Sequence, residues 1–168
     1  MLPVLVVRLA ARAPYRRPAI ALDFDDAAHD ALALMQRVLP APLRVLVIHA
    51  FESLYKGRVY MSLTEDAAAE WREQFRQTAS RRLATLIATY LARAKVRPGE
   101  VPWTTHLKCG SPRLVIKKAV KKADTDLLVL GTHGFTGVTH LFLGTVAGDV
   151  LRDVACDVLV VPPRPLRK

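Results

Sequence analysis

Two short groups of residues in the last quarter of the chain have the types and spacing to hold a phosphorylated ligand. Gly131 and Gly134 are separated by two residues, and Gly144-Thr145 follows after nine more. Five of the eight glycines in the protein fall between Gly131 and Gly148. A glycine at the tip of a strand lets the backbone turn sharply and approach a ligand with no Cβ in the way. Gly131 and Gly134 would therefore bare consecutive N–H groups. Gly144-Thr145 falls where a helix should begin, which makes Thr145 the expected N-cap, its hydroxyl also free to meet a phosphate oxygen. The unpaired N–H groups and positive dipole end of that helix favour anions. Two donor clusters so spaced could grip a polyphosphate from both sides.

The flanking elements are those such a site needs. Asp126-Leu127-Leu128-Val129-Leu130 is a short apolar run of buried-strand character, and Val158-Leu159-Val160-Val161 is another, closed by Pro162-Pro163. Strand, glycine loop, helix, strand is the layout of a phosphate-binding unit in an α/β protein.

Upstream, the same alternation repeats. Residues 18–23 (PAIALD) form a short apolar strand ending in an acid. Asp25 or Asp26 should cap a helix to about residue 39, with Ala27, Ala31, Leu34, Met35 and Val38 as its apolar stripe. Residues 43–49 (LRVLVIH) read as the second strand. A long helix is expected from about 64 to 94, with Trp71, Phe75, Leu83, Leu86, Ile87, Tyr90 and Leu91 facing inward. A third strand at about 103–107 leads into Cys109-Gly110-Ser111-Pro112. Ser111 as N-cap and Pro112 in the first turn start a helix that should bury Leu114, Val115, Ile116, Ala119 and Val120.

Strands alternating with helices predict an α/β fold: a doubly wound, Rossmann-like parallel sheet of five strands, covered on both faces. If the first strand lies beside the fourth, the order is 3-2-1-4-5. The switch point then falls between Asp23 and Gly131, and open α/β sheets bind ligands in such a crevice.

Composition narrows the function. At 168 residues the chain is long enough for one domain with a sizeable core. Its formal charge of +10 is spread over the N-terminus, two helices and the C-terminal tail, with few aromatics among the basic residues. No helix-turn-helix, zinc-finger or RNA-recognition signature accompanies them, so nucleic acid is not the expected partner. No secretory signal and no run of transmembrane length is present, and a cytoplasmic protein is expected. Cys109 and Cys156 lack metal-ligand spacing and are expected as buried thiols. Asp25 and Asp26 are read as helix caps rather than metal ligands. His49 should hydrogen-bond within the core, His140 is read as structural, and His133 could orient a phosphate. No Walker lysine, zinc spacing or Ser-His-Asp order appears, and no catalytic or metal-ligating residue is assigned.

The glycine spacing, together with Ala21-Leu22-Asp23-Phe24, Val47-Ile48-His49-Ala50, Cys109-Gly110-Ser111-Pro112 and the closing Val158-Leu159-Val160-Val161, resembles the ATP-binding branch of the universal stress protein family. The resemblance covers residues 18–161. It implies a flavodoxin-like domain that binds ATP or AMP, with Mg2+ or Mn2+ beside a triphosphate, and that serves stress survival as a homodimer joined through the edge of the last strand. It implies adenosine contacts at Ala21, Asp23 and Ala50, and ribose contacts at Leu130 and Gly131. Phosphate contacts would come from Gly134, Gly144, Thr145 and Val146, with Thr132 and His133 in the same loop. At most a weak ATPase is expected, the alternatives being slow hydrolysis at this site or a member that acts only through protein contacts. Asp157 stands where the family commonly has a proline.

The chain also contains an echo. Pro3-Val4-Leu5-Val6-Val7-Arg8 repeats Asp157-Val158-Leu159-Val160-Val161-Pro162. Residues 1–17 therefore read as a strand and linker resembling the end of a preceding domain, 18–163 as the domain itself, and 164–168 as a basic tail. The echo predicts that residues 3–8 add antiparallel to the closing strand, in the same chain or exchanged with a second one.

Overall fold

The computed structural model describes residues 2–8, 10, 14–24, 27–39, 44–51, 64–95, 101–131 and 144–162. In chain order the elements are β1 (Val4–Val6), β2 (Pro18–Ala21), α1 (Ala27–Val38), β3 (Val45–Phe51), α2 (Glu65–Ala94), β4 (Trp103–Cys109), α3 (Pro112–Lys122), β5 (Leu127–Gly131), α4 (Thr145–Asp153) and β6 (Asp157–Val161). They build one six-stranded sheet in the order β1-β6-β5-β2-β3-β4. All neighbours are parallel except β1, which runs antiparallel to β6. Without β1 this is the expected 3-2-1-4-5 order, with β2 lying between β3 and β5.

The inner strands β2, β3, β5 and β6 are apolar at most successive positions because both faces of the sheet are covered there. Ile20, Val47, Leu127, Val129, Leu159 and Val161 face one core, closed by Ala28, Leu32 and Met35 of α1 and Leu83, Leu86 and Tyr90 of α2. The alternate residues Ala19, Ile48, Leu128, Leu130, Val158 and Val160 face the other. That core is closed by Val115, Ile116, Ala119 and Val120 of α3 and Val150 of α4.

Helix faces depart from the expected stripes in three places. In α1 the core takes Ala28 and Leu32 beside Ala27, Ala31 and Met35, while Leu34 is half-buried and Val38, in the last turn, is exposed. The face turned to the sheet is thus rotated from the expected one. In α2, Trp71 is exposed and Phe75 half-buried, their rings 6.3 Å apart. The 30 residues of α2 span about 45 Å at a rise of 1.5 Å per residue. A seven-residue strand such as β4 covers only about 23 Å. Helix α2 is thus about twice as long as the strand, and in its first half only Ala68 and Ala79 are buried. In α3, Leu114 lies on the solvent side.

Local signals set the helix ends. Thr64 caps α2 by accepting the N–H of Ala67 at 3.3 Å, and Lys95 ends it in the left-handed region at φ 55°. Ser111 is the N-cap of α3, with Pro112 in its first turn, but its hydroxyl makes no capping bond. Cys109, expected inside, is exposed because it ends β4, the outer strand of the sheet; Cys156 is buried. The capping roles expected of Asp25 and Asp26 lie outside the described residues.

The amino-terminal arm is fastened by two carboxylates at the beginnings of neighbouring strands. Asp126 accepts the N–H groups of Arg16 at 2.7 Å and Arg17 at 2.9 Å. Asp157, buried, accepts the N–H of Arg8 through Oδ1 and the Tyr15 hydroxyl through Oδ2, both at 2.6 Å. The Arg8 guanidinium donates to the Leu151 carbonyl in the last turn of α4. Asp157 is thus the anchor of the arm.

Two tests follow from this anchorage. Asp157→Ala strands the Arg8 N–H and the Tyr15 hydroxyl, and should lower stability by about 1–3 kcal/mol in chemical denaturation; an unchanged midpoint would remove the anchor. Burial, then the hydrogen bond to Asp157, pushes the Tyr15 phenol from 10.0 up to about 12, and burial pushes the Cys156 thiol from 9.0 up to about 11. Both folded values exceed the unfolded ones, so their stabilisation is complete below pH 9 and is lost as pH rises, from 9 to 11 for Cys156 and from 10 to 12 for Tyr15. The denaturation midpoint should fall through that window, and Tyr15→Phe should flatten its upper part.

Candidate functional site

The carboxyl ends of β2, β3 and β5 meet where the strand order reverses. Ala21 pairs with Leu130 on one side and Ile48 on the other. Beyond the ladder, the Leu22 N–H still reaches the Ile48 carbonyl at 3.0 Å, which carries β2 one residue further before the chain turns. Asp23 then projects into solvent, and its Oδ1 accepts the N–H of the following Phe24 at 2.8 Å. Ala50, half-buried, sits at the corresponding end of β3.

A compact aromatic and basic group underlies Asp23. His49 is buried, and its Nδ1 donates to the Leu22 carbonyl at 2.9 Å, which sets the tautomer. The Phe24 ring lies 4.1 Å from that of His49, and the Arg82 guanidinium of α2 sits 4.4 Å over the Phe24 ring. The expected core hydrogen bond of His49 is therefore the one that fixes the turn carrying Asp23. Phe24 was quoted only as part of a motif, and Arg82 gave no local signal: its position depends on where a 30-residue helix crosses the strand ends.

On the other side of the crevice, Leu130 and Gly131 end β5, paired with Val160 and Val161 of β6. Among the described residues, a Cβ built on Gly131 meets nothing within 4 Å. Gly144, at φ −54° and ψ 152°, is the N-cap of α4 and, as a glycine, offers no side-chain capping bond of its own. This corrects the expected cap: Thr145 is already the first helical residue, because Gly144 takes the extended conformation that precedes the helix. The Gly144 carbonyl receives the first intrahelical bond, from Gly148 at 2.9 Å. The N–H groups of the preceding first turn have no acceptor within the helix. Thr145 and Val146 are exposed there, and Ala147 and Val150 fasten the helix to the core.

The described residues thus bring together Ala21, Asp23, Ala50, Leu130 and Gly131, and they give α4 an amino terminus beginning at Gly144, Thr145 and Val146. Thr132, His133 and Gly134, the rest of the expected cradle, lie outside the described residues, as does His140. Open space at Gly131 and N–H donors with no acceptor within the helix fit an anionic ligand. Among the described residues no cluster of three His, Cys, Asp or Glu could hold a metal ion, and no helix is long and apolar enough to cross a membrane.

Comparison with known proteins gives a consistent picture. The model of the universal stress protein family matches residues 14–162. Universal stress protein E of Escherichia coli strain K12 is 39% identical over 59 residues, 35% of this chain. The matched segment spans 19% of that relative's length. The solved structure of hypothetical protein MJ0577 superposes with a TM-score of 0.68 at 17% identity, over 91% of this chain and 99% of that one. A universal stress protein in complex with cAMP superposes with a TM-score of 0.52 at 19% identity, over 89% and 98% of the respective chains. At these identities the structures establish a shared fold.

The open space beside Gly131 has a measurable consequence. Gly131→Ala should leave the melting temperature unchanged or slightly raised, since Ala loses less conformational freedom on folding and its methyl group displaces nothing. A loss of stability above about 1 kcal/mol, the size of a typical single-site effect, would mean that the crevice is closed there.

Proposed function

This chain belongs to the universal stress protein family, and on that premise we propose that it binds an adenine nucleotide, ATP or AMP, across the switch point of the sheet. In this reading nucleotide occupancy, rather than turnover, is its contribution to the cellular stress response. The observation that carries the reading is the pairing of Ala21 with Leu130, which sets Asp23 and Gly131 at adjoining strand ends. The amino terminus of α4 at Gly144, whose first-turn N–H groups have no acceptor within the helix, supports it.

Each residue then has a role. Ala21 and Ala50 offer small surfaces to the adenine, and Asp23 accepts hydrogen bonds from the adenosine half. Leu130 and Gly131 present backbone to the ribose. The N–H groups at Gly144, Thr145 and Val146, with Thr132, His133 and Gly134 from the same loop, hold the phosphates. Mg2+ or Mn2+ would accompany a triphosphate and neutralise part of its charge. The cAMP carried by one structural relative is a neighbouring chemistry and belongs among the ligands to be tried. Homodimerisation and a cytoplasmic location complete the proposal.

Calorimetry with ATP, AMP and cAMP, with and without Mg2+, tests the reading directly. Gly144→Val should weaken ATP binding at least tenfold, about 1.4 kcal/mol, while the fold persists, because φ −54° suits any residue. Asp23→Ala should weaken ATP and AMP alike. Unchanged affinity in the Gly144 variant would move the phosphates elsewhere, and a loss confined to ATP would place Asp23 at the phosphates. Phosphate release above a buffer blank would make the protein a slow hydrolase.

A further inference from the structure

The sheet has a second edge, and among the described residues nothing pairs with it. Strand β4 is the terminal strand beyond β3 and runs for seven residues in unbroken register with it. The Pro102 carbonyl accepts the Val45 N–H at 2.9 Å, and the Gly110 N–H donates to the Phe51 carbonyl at 3.0 Å, so both residues face β3. Backbone groups alternate in direction along a strand, so the even-numbered residues between them also face β3. The N–H and C=O groups of Trp103, Thr105, Leu107 and Cys109 therefore point outward.

The two faces beside this edge have opposite chemistry. Thr105 pairs with Val47 and so lies on the α2 side, where Trp103 and Leu107 pack partly against the core. There an apolar groove of about 590 Å3 runs between strand and helix, lined by Leu83, Ala84, Ile87, Ala88, Leu91 and Thr105 among others. Ala84 and Ala88 are exposed along it. His106 pairs with Ile48 and lies on the α3 side, with Thr104 and Lys108. Burial, then the charges of Lys108 and Lys122, hold the His106 imidazole below its ordinary value, which sets both ammonium groups beside that face. Neither lysine has an ion-pair partner among the described residues. Edge strands are commonly guarded by charge, but here the charge guards one face and leaves the groove side open.

We propose that the outer edge of β4 receives an extended segment of a protein partner in which apolar and acidic residues alternate, added to the sheet as a further strand. The outward N–H and C=O groups supply the ladder, and alternate side chains supply the selection. Every second residue of the segment enters the groove beside α2, and the residues between them meet the face of Lys108 and Lys122. Carboxylates complement those ammonium groups, whereas further cations would repel them. A second copy of β4 is therefore disfavoured as the occupant, since it brings another Lys108 to the same sheet edge. The site lies at the opposite edge from β1 and β6 and is independent of any contact made there.

Fluorescence anisotropy with labelled peptides tests this on the full chain. The probe is a peptide of alternating valine and glutamate, and the controls of equal length alternate valine with lysine and serine with glutamate. The valine–glutamate peptide should bind at least tenfold more tightly than either control. Thr105→Pro removes one outward N–H and keeps the bonds to β3, a change that an edge strand tolerates, and it should weaken binding at least tenfold. Ala88→Phe fills the groove from an exposed helix position without adding charge. It should weaken binding equally, and it carries the test if the proline variant does not fold. Lys108→Glu with Lys122→Glu should turn the preference toward the valine–lysine peptide. Equal binding of the serine–glutamate peptide would mean only attraction of an acid to a basic chain, and it overturns the proposal. So does the failure of all three peptides to bind, or undiminished binding by the folded variants. A halved mass of Thr105→Pro in light scattering would assign the edge to a second copy and would equally overturn it.

Discussion

The pairing of β2 with β5 is the contact on which the rest of the architecture turns. The chain winds outward from β2 through β3 to β4, with α1 and α2 over one face. It then returns across the sheet through α3, pairs β5 against the free side of β2, and winds outward again to β6. Four residues of register, Pro18 to Leu127 through Ala21 to Leu130, carry this reversal. Short parallel strands can do so because nearly every side chain on them is buried between the two helix layers. Burying one Leu or Val side chain fully contributes about 1.5–3 kcal/mol, and Leu127, Leu128 and Val129 are all fully buried. The switch point at the carboxyl ends of β2 and β5 is the geometric by-product, and it is where the proposed nucleotide would sit.

The opposite ends of the strands meet a different demand. Strand β6 would have ended the sheet with a row of unpaired backbone groups, and β1 closes it. Holding an arm there takes more than a few ladder bonds, because the last residues of a chain fray unless something ties them down. Asp126 and Asp157, one residue before β5 and at the start of β6, provide that tie through charged hydrogen bonds to backbone N–H groups, which are about twice as strong as neutral ones. Backbone N–H groups of Arg8, Arg16 and Arg17, with the Tyr15 hydroxyl, are the donors to these two carboxylates.

Much of this was legible in the residues and some was not, for physical reasons. Strands β2, β3, β5 and β6 are almost wholly apolar runs, the pattern of a doubly covered sheet, so their positions and order could be read. The antiparallel arm was legible because it repeats β6. Helix faces were harder. Trp71 and Leu114 are apolar at helical spacing, yet both are exposed, because periodicity specifies a face and not whether a neighbour reaches it. Thr145 was expected as a cap from its hydroxyl, but the glycine before it adopts the required extended conformation instead. The role of Asp157 as an anchor depends on Arg8 and Tyr15, more than a hundred positions away, and no local reading of the acid could supply it. The His49–Phe24–Arg82 group is of the same long-range kind.

Helix α4 connects these two regions of the molecule. Its amino terminus is the end at Gly144 beside the crevice, and its last turn offers the Leu151 carbonyl to the Arg8 guanidinium. Between them, Ala147 and Val150 fix the helix to the core over only nine residues. A cation at the carboxyl end of a helix interacts favourably with its dipole, as an anion does at the amino end. The arm thus already complements one pole of α4, and a phosphate at Gly144 would complement the other. Because the helix is short and continuous, both poles belong to one rigid element. Arg8 at the carboxyl end and a phosphate at Gly144 would therefore act on the same helix.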